Sequence, residues 1–358
     1  MANPLNLREY EALARERMTG ASFDYYAGGA EDEITVADNE AAWRRLRLHP
    51  RVLVDVSNVD CGTSVLGTPV AMPVLTAPCA LNMLAHADGE RGVARAAKES
   101  GIIQVLSAAS SVSMEDVAAA APAGVRWFQL YCSRDRDVTR DLVARAEAAG
   151  YTAICLTVDV PILGRRERDI RSGFHAPPSI RLANLAPYAA DALPAVAGQS
   201  GLAAYVSARW DSSLDWNSVA WLRSITSLPI VAKGVLTGAD ALRAAESGCA
   251  AVIVSNHGGR QLDSCVTSCD ALSSVVDAVG QRSEVLVDGG IRRGTDVIKA
   301  LALGARAVLI GRPYLWALAA DGEAGVRRAL ALLQSEIVMA MMLCGRVAVS
   351  EIDRALLG

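Results

Sequence analysis

The chain has 358 residues, 52% of them hydrophobic and 21% charged, with a formal net charge of −4. That composition supports a large buried core and excludes a disordered chain. The acidic balance reads against nucleic acid, which selects a basic face, and no uninterrupted apolar run reaches the length of a bilayer span.

Residues 1 to about 70 read as an N-terminal extension, with a helix near Leu7–Met18 and a turn at Tyr25-Tyr26-Ala27-Gly28-Gly29-Ala30. Eight short apolar runs follow: Val74–Ala77, Ile103–Ser107, Trp127–Tyr131, Ala153–Asp159, Pro229–Lys233, Ala251–Ser255, Val285–Asp288 and Ala307–Ile310. Most are Leu-rich or β-branched, as strands buried on both faces of a parallel sheet require. Between them, Asp88–Ser100, Met114–Ala120, Val138–Ala149, Ala239–Ser247, Asp270–Val279 and Thr295–Leu303 carry apolar residues at helical spacing. Ser113, ahead of Glu115 and Asp116, and Thr237, ahead of Asp240, are start signals. Gly101, Gly150, Gly248 and Gly304 stand where helices should stop.

Eight strand–helix units predict an α/β fold of the (β/α)8 barrel type over residues 71–320, within a single domain. No Gly-x-Gly-x-x-Gly follows the first strand, so a dinucleotide-binding half is not indicated. A stretch from about 171 to 214, rich in Pro, Ala and Ser, separates strands four and five and reads as a lid or a partly disordered loop. Residues 321–358 read as C-terminal helices, with a long helix over Val326–Leu343.

Eight cysteines run from Cys61 to Cys344, and only Cys265 and Cys269 lie close together. No metal-type spacing occurs. The expectation is a reduced protein with no disulfide framework and no metal. Met1-Ala2-Asn3-Pro4 lacks the basic-then-apolar pattern of a signal peptide, which leads to the expectation of a cytoplasmic protein.

Polar residues accumulate at the C-terminal ends of the strands: Ser107, Gln129 with Tyr131, Thr157 with Asp159, Lys233, Ser255-Asn256-His257, then Asp288. Chemistry on this barrel sits at that end, and a buried polar group there needs a partner or a ligand. Spacing of two puts Gln129 and Tyr131 on one face of their strand, and Thr157 and Asp159 likewise. Satisfied packing inside the barrel is the competing reading for any one of them. Two glycine turns end strands seven and eight, Asp288-Gly289-Gly290-Ile291-Arg292-Arg293-Gly294 and Ile310-Gly311-Arg312-Pro313. Turns at these two strands commonly hold a phosphate, with backbone N–H groups and arginines as donors. Two ordinary connecting turns are the alternative.

These segments, together with Ala77-Pro78-Cys79-Ala80, Lys233-Gly234-Val235 and Ser255-Asn256-His257-Gly258-Gly259-Arg260-Gln261, occur in one order. In that order they resemble the FMN-dependent 2-hydroxy acid oxidase and dehydrogenase family over nearly the whole chain. The resemblance implies oxidation of an (S)-2-hydroxy acid to the 2-oxo acid. It implies His257 as the base and Asp159 as the group that orients it. It implies Arg260 and Arg166 as a carboxylate clamp, with Tyr25 and Tyr131 bonding to the substrate. Lys233 would stand beside the flavin where negative charge builds. Ser107, Gln129 and Thr157 would meet the ring edge, and Ala77, Pro78, Cys79 and Ser255 would complete the flavin contacts. Ala80 would lie near the reactive face. Asp288 would meet the ribityl chain, and Gly289, Gly290, Arg292, Gly311 and Arg312 the phosphate. Arg166 lies in the run Gly164-Arg165-Arg166-Glu167-Arg168, for which a solvated face is the competing reading. Tyr25 and Tyr26 are alternatives one position apart.

Ala109 stands where glycolate-oxidising members carry a large aromatic, so the expected substrate is aryl, mandelate or 4-hydroxymandelate, with lactate or glycolate as the alternative. The stretch from Ser172 to Leu214 has no membrane-binding pattern, and Ala80 resembles the oxidases, so the expected acceptor is O2. The resemblance also implies a homotetramer. The rivals of another class are an FMN-dependent isomerase and a non-catalytic flavin binder, neither of which calls for His257, Arg260 and Asp159 together.

Overall fold

The computed structural model of the chain describes residues 4–188, 205, 206 and 208–358. Eight parallel strands close a barrel in sequence order: β1 (Val74–Thr76), β2 (Gln104–Ser107), β3 (Arg126–Leu130), β4 (Ile154–Thr157), β5 (Ile230–Val235), β6 (Ala251–Val254), β7 (Glu284–Asp288) and β8 (Ala307–Ile310). β8 returns to pair with β1, so no strand edge is left open. The expected (β/α)8 barrel is the observed fold.

Alternation along the strands explains both the core and the site. Leu75, Ile103, Val105, Trp127, Cys155, Val231, Ile253, Leu286 and Leu309 form one buried cluster, the filled interior of the barrel. A short antiparallel hairpin, Thr63–Val65 with Thr68–Val70, adds Val65 and Val70 to that cluster. Two residues further along the same strands, on the same face, come Ser107, Gln129, Thr157, Lys233, Ser255 and Asp288. Each of these six is buried. The interior therefore changes from apolar to polar at its C-terminal layer.

Around the barrel, Ser113 caps the helix Met114–Ala120 and Thr237 caps Gly238–Glu246, as expected, each accepting from a backbone N–H. Such a cap is worth about 1 kcal/mol. Gly101, Gly150, Gly248 and Gly304 all have positive φ at helix ends.

The extension differs from expectation. It holds three helices, α1 (Glu9–Arg17), α2 (Gly20–Ala27) and α3 (Ile34–Arg45). Tyr25 and Tyr26 are not in a turn but on α2, whose start is fixed by the Thr19 side chain accepting from the Ser22 N–H. The chain leaves the helix at Gly28. α3 escaped notice because its N-cap residue, Glu33, gives no side-chain cap. A further helix starts at Arg312, and a non-helical kink at Asp321 and Gly322 separates it from the expected long C-terminal helix, which runs on to Leu343. Of the expected long loop, residues 189–204 and 207 lie outside the described residues, and beyond its end stands an unexpected helix, Trp216–Ser224. No helix among the described residues is long and apolar enough to cross a membrane.

Candidate active site

At the polar end of the barrel, Lys233 Nζ lies 2.9 Å from Asp288 Oδ2 and donates to Ser255 Oγ at 2.9 Å. Burial opposes the charge on Lys233, but Asp288 and Asp159 outweigh it and hold the ammonium above its ordinary pKa. A second chain runs Ser107–Gln129–Thr157: the Ser107 hydroxyl donates to Gln129 Oε1 at 3.1 Å, and Gln129 Nε2 donates to Thr157 Oγ1 at 2.9 Å.

His257 and Asp159 leave the rim on either side of β5 and meet, Nδ1 to Oδ1, at 3.0 Å. A carboxylate at Nδ1 places the proton there and leaves Nε2 as the free lone pair. Burial lowers the His257 pKa, Asp159 works against that, and Lys233 and Arg166 add to it, so the ring is held neutral. Burial likewise opposes the Asp159 charge, yet His257 and Lys233 keep its carboxyl below the ordinary value. Close approach is possible because β5 carries no side chain at Gly234. A Cβ there would stand 2.5 Å from Asp159 Cβ and Cγ. Gly234 has a φ of +113°, at a register shift between Lys233 and Val235.

The loop after β6 is left-handed for three residues, with φ of 58° at His257, 64° at Gly258 and 76° at Gly259. Only His257 bears the steric cost, on the order of 1–3 kcal/mol. Its surroundings hold it there: Gln261 Nε2 donates to Asp159 O at 2.9 Å and Ile162 O at 2.8 Å.

Four arginines converge. Arg260 Nη1 donates to Tyr25 O and Gly28 O at 2.6 and 2.7 Å, and its guanidinium lies 5.2 Å from the Tyr25 ring centroid. Arg166 is only 5% exposed, so the solvated-run reading fails for it, whereas Arg165 next to it is turned outward. Burial, then Arg260, pushes Arg166 down to about 10. Arg312 donates to three carbonyls, of Tyr26, Gly28 and Gly258, and burial followed by Arg260 pushes it down to about 9. A guanidinium keeps its proton in a protein, so these depressions mark buried positive charge in need of an anion. Arg166, Arg260 and Arg312 have no carboxylate within ion-pair distance among the described residues. Arg292, by contrast, is paired with Glu40 at 3.1 Å.

These groups surround one cavity of about 1000 Å³, counting its open mouth. It is lined by Tyr25, Ala77, Pro78, Cys79, Ala80, Ser107, Ala109, Tyr131, Arg166, Lys233, His257 and Arg260, and on the glycine-turn side by Asp288, Gly289, Gly290, Arg292, Gly311 and Arg312. Four expected residues, Gln129, Thr157, Asp159 and Ser255, are not on its wall and act on it through the bonds above. Sequence reading missed Leu163 and Trp210, which also line it, and of the two alternatives Tyr25 and Tyr26 both stand on the wall. The Tyr26 hydroxyl donates to Leu81 O at 2.6 Å, so Tyr26 shapes the wall while Tyr25 presents its ring to Arg260. Trp210 lies flat on Tyr131, centroids 3.6 Å apart, and Phe174 stacks on Tyr25 at 4.4 Å. Both come from distant positions with no motif to announce them.

The cavity suits a long, polar, anionic ring compound. Gly289, Gly290 and Gly311 line it beside Arg312, and a turn without Cβ atoms lets an anion approach backbone N–H groups. Asp288 Oδ1 is buried without a partner and can accept from a polyol. A Cβ at Gly311 would narrow the cradle, standing 3.4 Å from Cys79 Sγ and 3.7 Å from Ala77 Cβ. No group of three or more His, Cys, Asp or Glu among the described residues could hold a metal. FMN, with its phosphate, ribityl chain and flat ring, fits this donor set.

Comparison with known proteins decides the matter: residues 14–358 match the model of the FMN-dependent dehydrogenase family. The chain belongs to that family. It is an FMN-dependent oxidoreductase. Its sequence is 51% identical to an L-lactate oxidase of Nostoc sp., covering 100% of this chain and 99% of that one. It is 48% identical to the glycolate oxidase of Spinacia oleracea, covering 98% and 94%. Its fold superposes on a crystal structure of mandelate oxidase with (S)-4-hydroxymandelic acid at a TM-score of 0.94 and 44% identity, covering 99% and 98%.

Proposed function

We propose that this family member oxidises an aryl (S)-2-hydroxy acid, mandelate or 4-hydroxymandelate, to the 2-oxo acid and passes the electrons to O2, forming hydrogen peroxide. The observation that carries the reading is His257, held by Asp159 at 3.0 Å, on the wall of the same cavity as Arg166 and Arg260, which have no carboxylate within ion-pair distance among the described residues.

Bound FMN would supply the two-electron acceptor that oxidation of the alcohol carbon requires. Ser107, Gln129, Thr157, Lys233 and Asp288 would hold its ring and ribityl side, and Arg292, Arg312 and the glycine turns its phosphate. Arg166 and Arg260 bind the substrate carboxylate and fix its orientation. His257 takes a proton at Nε2, and Asp159 at Nδ1 stabilises the imidazolium that results. Tyr25 and Tyr131 line the cavity, and their hydroxyls would bond to the substrate. Burial raises both phenol pKa values, so both remain donors. Anaerobic addition of mandelate should bleach the yellow protein, and air should restore the colour with one peroxide per oxo acid. A protein that stays yellow with every 2-hydroxy acid sinks the reading.

Aryl preference rests on the apolar part of the wall, where Ala109, Leu163, Ala80 and Trp210 leave room for a flat ring and supply an aromatic surface. Ala109→Trp should cut kcat/KM for mandelate by about 10- to 100-fold and spare lactate. Trp210 also favours a second reading, because its indole could shorten the cavity for a short-chain acid such as lactate. Trp210→Ala separates the two: the mandelate-to-lactate ratio of kcat/KM falls if the indole is a wall for the aryl ring and rises if it is a stopper.

A further inference from the structure

We propose that α3 is a strut joining the phosphate-side turn to the catalytic loop, and that Asn39 is the positioning residue through which it aligns His257. The proposal rests on His257 being the base, as argued above.

Asn39 and Asn256 are each 3% exposed and exchange two side-chain hydrogen bonds. Asn39 Nδ2 donates to Asn256 Oδ1 at 2.9 Å, and Asn256 Nδ2 donates to Asn39 Oδ1 at 2.8 Å. Asn256 Oδ1 also accepts from the Gly259 N–H at 3.1 Å, and Asn256 Nδ2 also donates to Val266 O at 3.3 Å. The Asn256 amide is thus fully used. It is bonded to the far end of the left-handed run 257–259, at Gly259, and to Val266 beyond it, and that run carries the imidazole. Without Asn39, one acceptor and one donor of that amide are lost in a buried position, which is costly.

The same helix bears on the other turn. A Cβ at Gly290 would stand 2.0 Å from Asn39 O, so the α3 carbonyl lies directly against that glycine. One turn further on, Trp43 Nε1 donates to Gly289 O at 2.8 Å. Glu40 pairs with Arg292. The catalytic loop also caps α3: Asp263 accepts from the Ile34 and Thr35 N–H groups at 3.2 and 2.8 Å, supplying what Glu33 does not. The helix, the phosphate-side turn and the loop therefore support one another. Whatever orders the turn at Gly289 and Gly290 also orders the run that carries His257.

Arg260, which grips the carboxylate, is anchored separately on Tyr25 O and Gly28 O. The expected signature is therefore a split. In the holoenzyme, Asn39→Ala should lower kcat by about 10- to 100-fold while KM stays within about twofold. FMN released on dilution, read by the recovery of flavin fluorescence, should increase several-fold. Arg45→Ala is the control, since it removes an exposed ion pair between the same helix and Asp270 without touching either loop. Asn39→Asp keeps the acceptor for Asn256 and should recover part of kcat. The proposal is overturned if Asn39→Ala loses no more kcat than Arg45→Ala, if KM rises in step with the kcat loss, or if FMN release is unchanged. Should Asn39→Ala fail to fold, the same three readings on Asn39→Asp decide between these outcomes. A wild-type protein that no 2-hydroxy acid bleaches would instead defeat the functional reading, and FMN release would still report on the strut.

Discussion

Replacing His257 by glutamine leaves a yellow protein that binds FMN and that its substrate barely bleaches. The expected loss in kcat is about 10²- to 10⁴-fold, the range a positioned general base supplies. Glutamine cannot take the proton, but it fills similar space beside Asp159 and leaves Arg166, Arg260 and the phosphate-side turn untouched. Retained substrate binding with lost turnover is the pattern to look for in rapid-reaction bleaching; full bleaching at the wild-type rate would remove His257 from the mechanism. The pH profile of the native protein follows from the same site. Burial lowers the His257 pKa below its ordinary value of 6.5, and Asp159 restores part of it. A base works when deprotonated, so kcat/KM should rise with pH through a midpoint below the ordinary histidine value and stay level above it. A midpoint well above that value would mean that the carboxylate, not burial, governs the ring.

Much of the site was legible because barrels impose a period of two on every strand. Val105 and Ser107, Val231 and Lys233, or Leu286 and Asp288 differ by one step along a face that points inward, so a polar residue at the end of an apolar alternation announces itself. The glycine turns after β7 and β8 were legible for a similar reason, since a turn there has few roles. What escaped was whatever depends on partners far apart in sequence. α3 is polar at half of its positions, and its cap comes from Asp263. Trp210 meets Tyr131, and Phe174 meets Tyr25, only once the loop after β4 has folded back. Arg165 and Arg166 are chemically identical neighbours; which of them turns inward is set by the short helix Glu167–Arg171 that follows. The glycines after Tyr25-Tyr26 suggest a turn over the whole segment, whereas they end a helix capped at Thr19, and Gly28 O then accepts from Arg260 and Arg312.

The second large effect is expected at Asp159 and, through it, at Gly234, which has no side chain. Asp159→Asn should lower kcat by on the order of 10²-fold or more, because an amide neither stabilises the imidazolium nor fixes the neutral tautomer. It should also move the acid limb of kcat/KM to still lower pH, since Asp159 is the group that raises the His257 pKa. Gly234→Ala should reproduce much of this loss without altering any ionisable group. Its Cβ would lie 2.5 Å from Asp159 Cβ and Cγ and 2.9 Å from the Asp159 backbone N, so backbone as well as side chain must yield. Alanine at a φ of +113° adds strain of about 1–3 kcal/mol, visible as a lower Tm. If Gly234 acts by letting Asp159 approach His257, the two losses cannot multiply. Gly234→Ala in the Asp159→Asn background should cost little further kcat. Multiplying losses would show that the clash travels the other way along β5, into Lys233 and its pairing with Asp288. In that case the glycine serves the ammonium rather than the base.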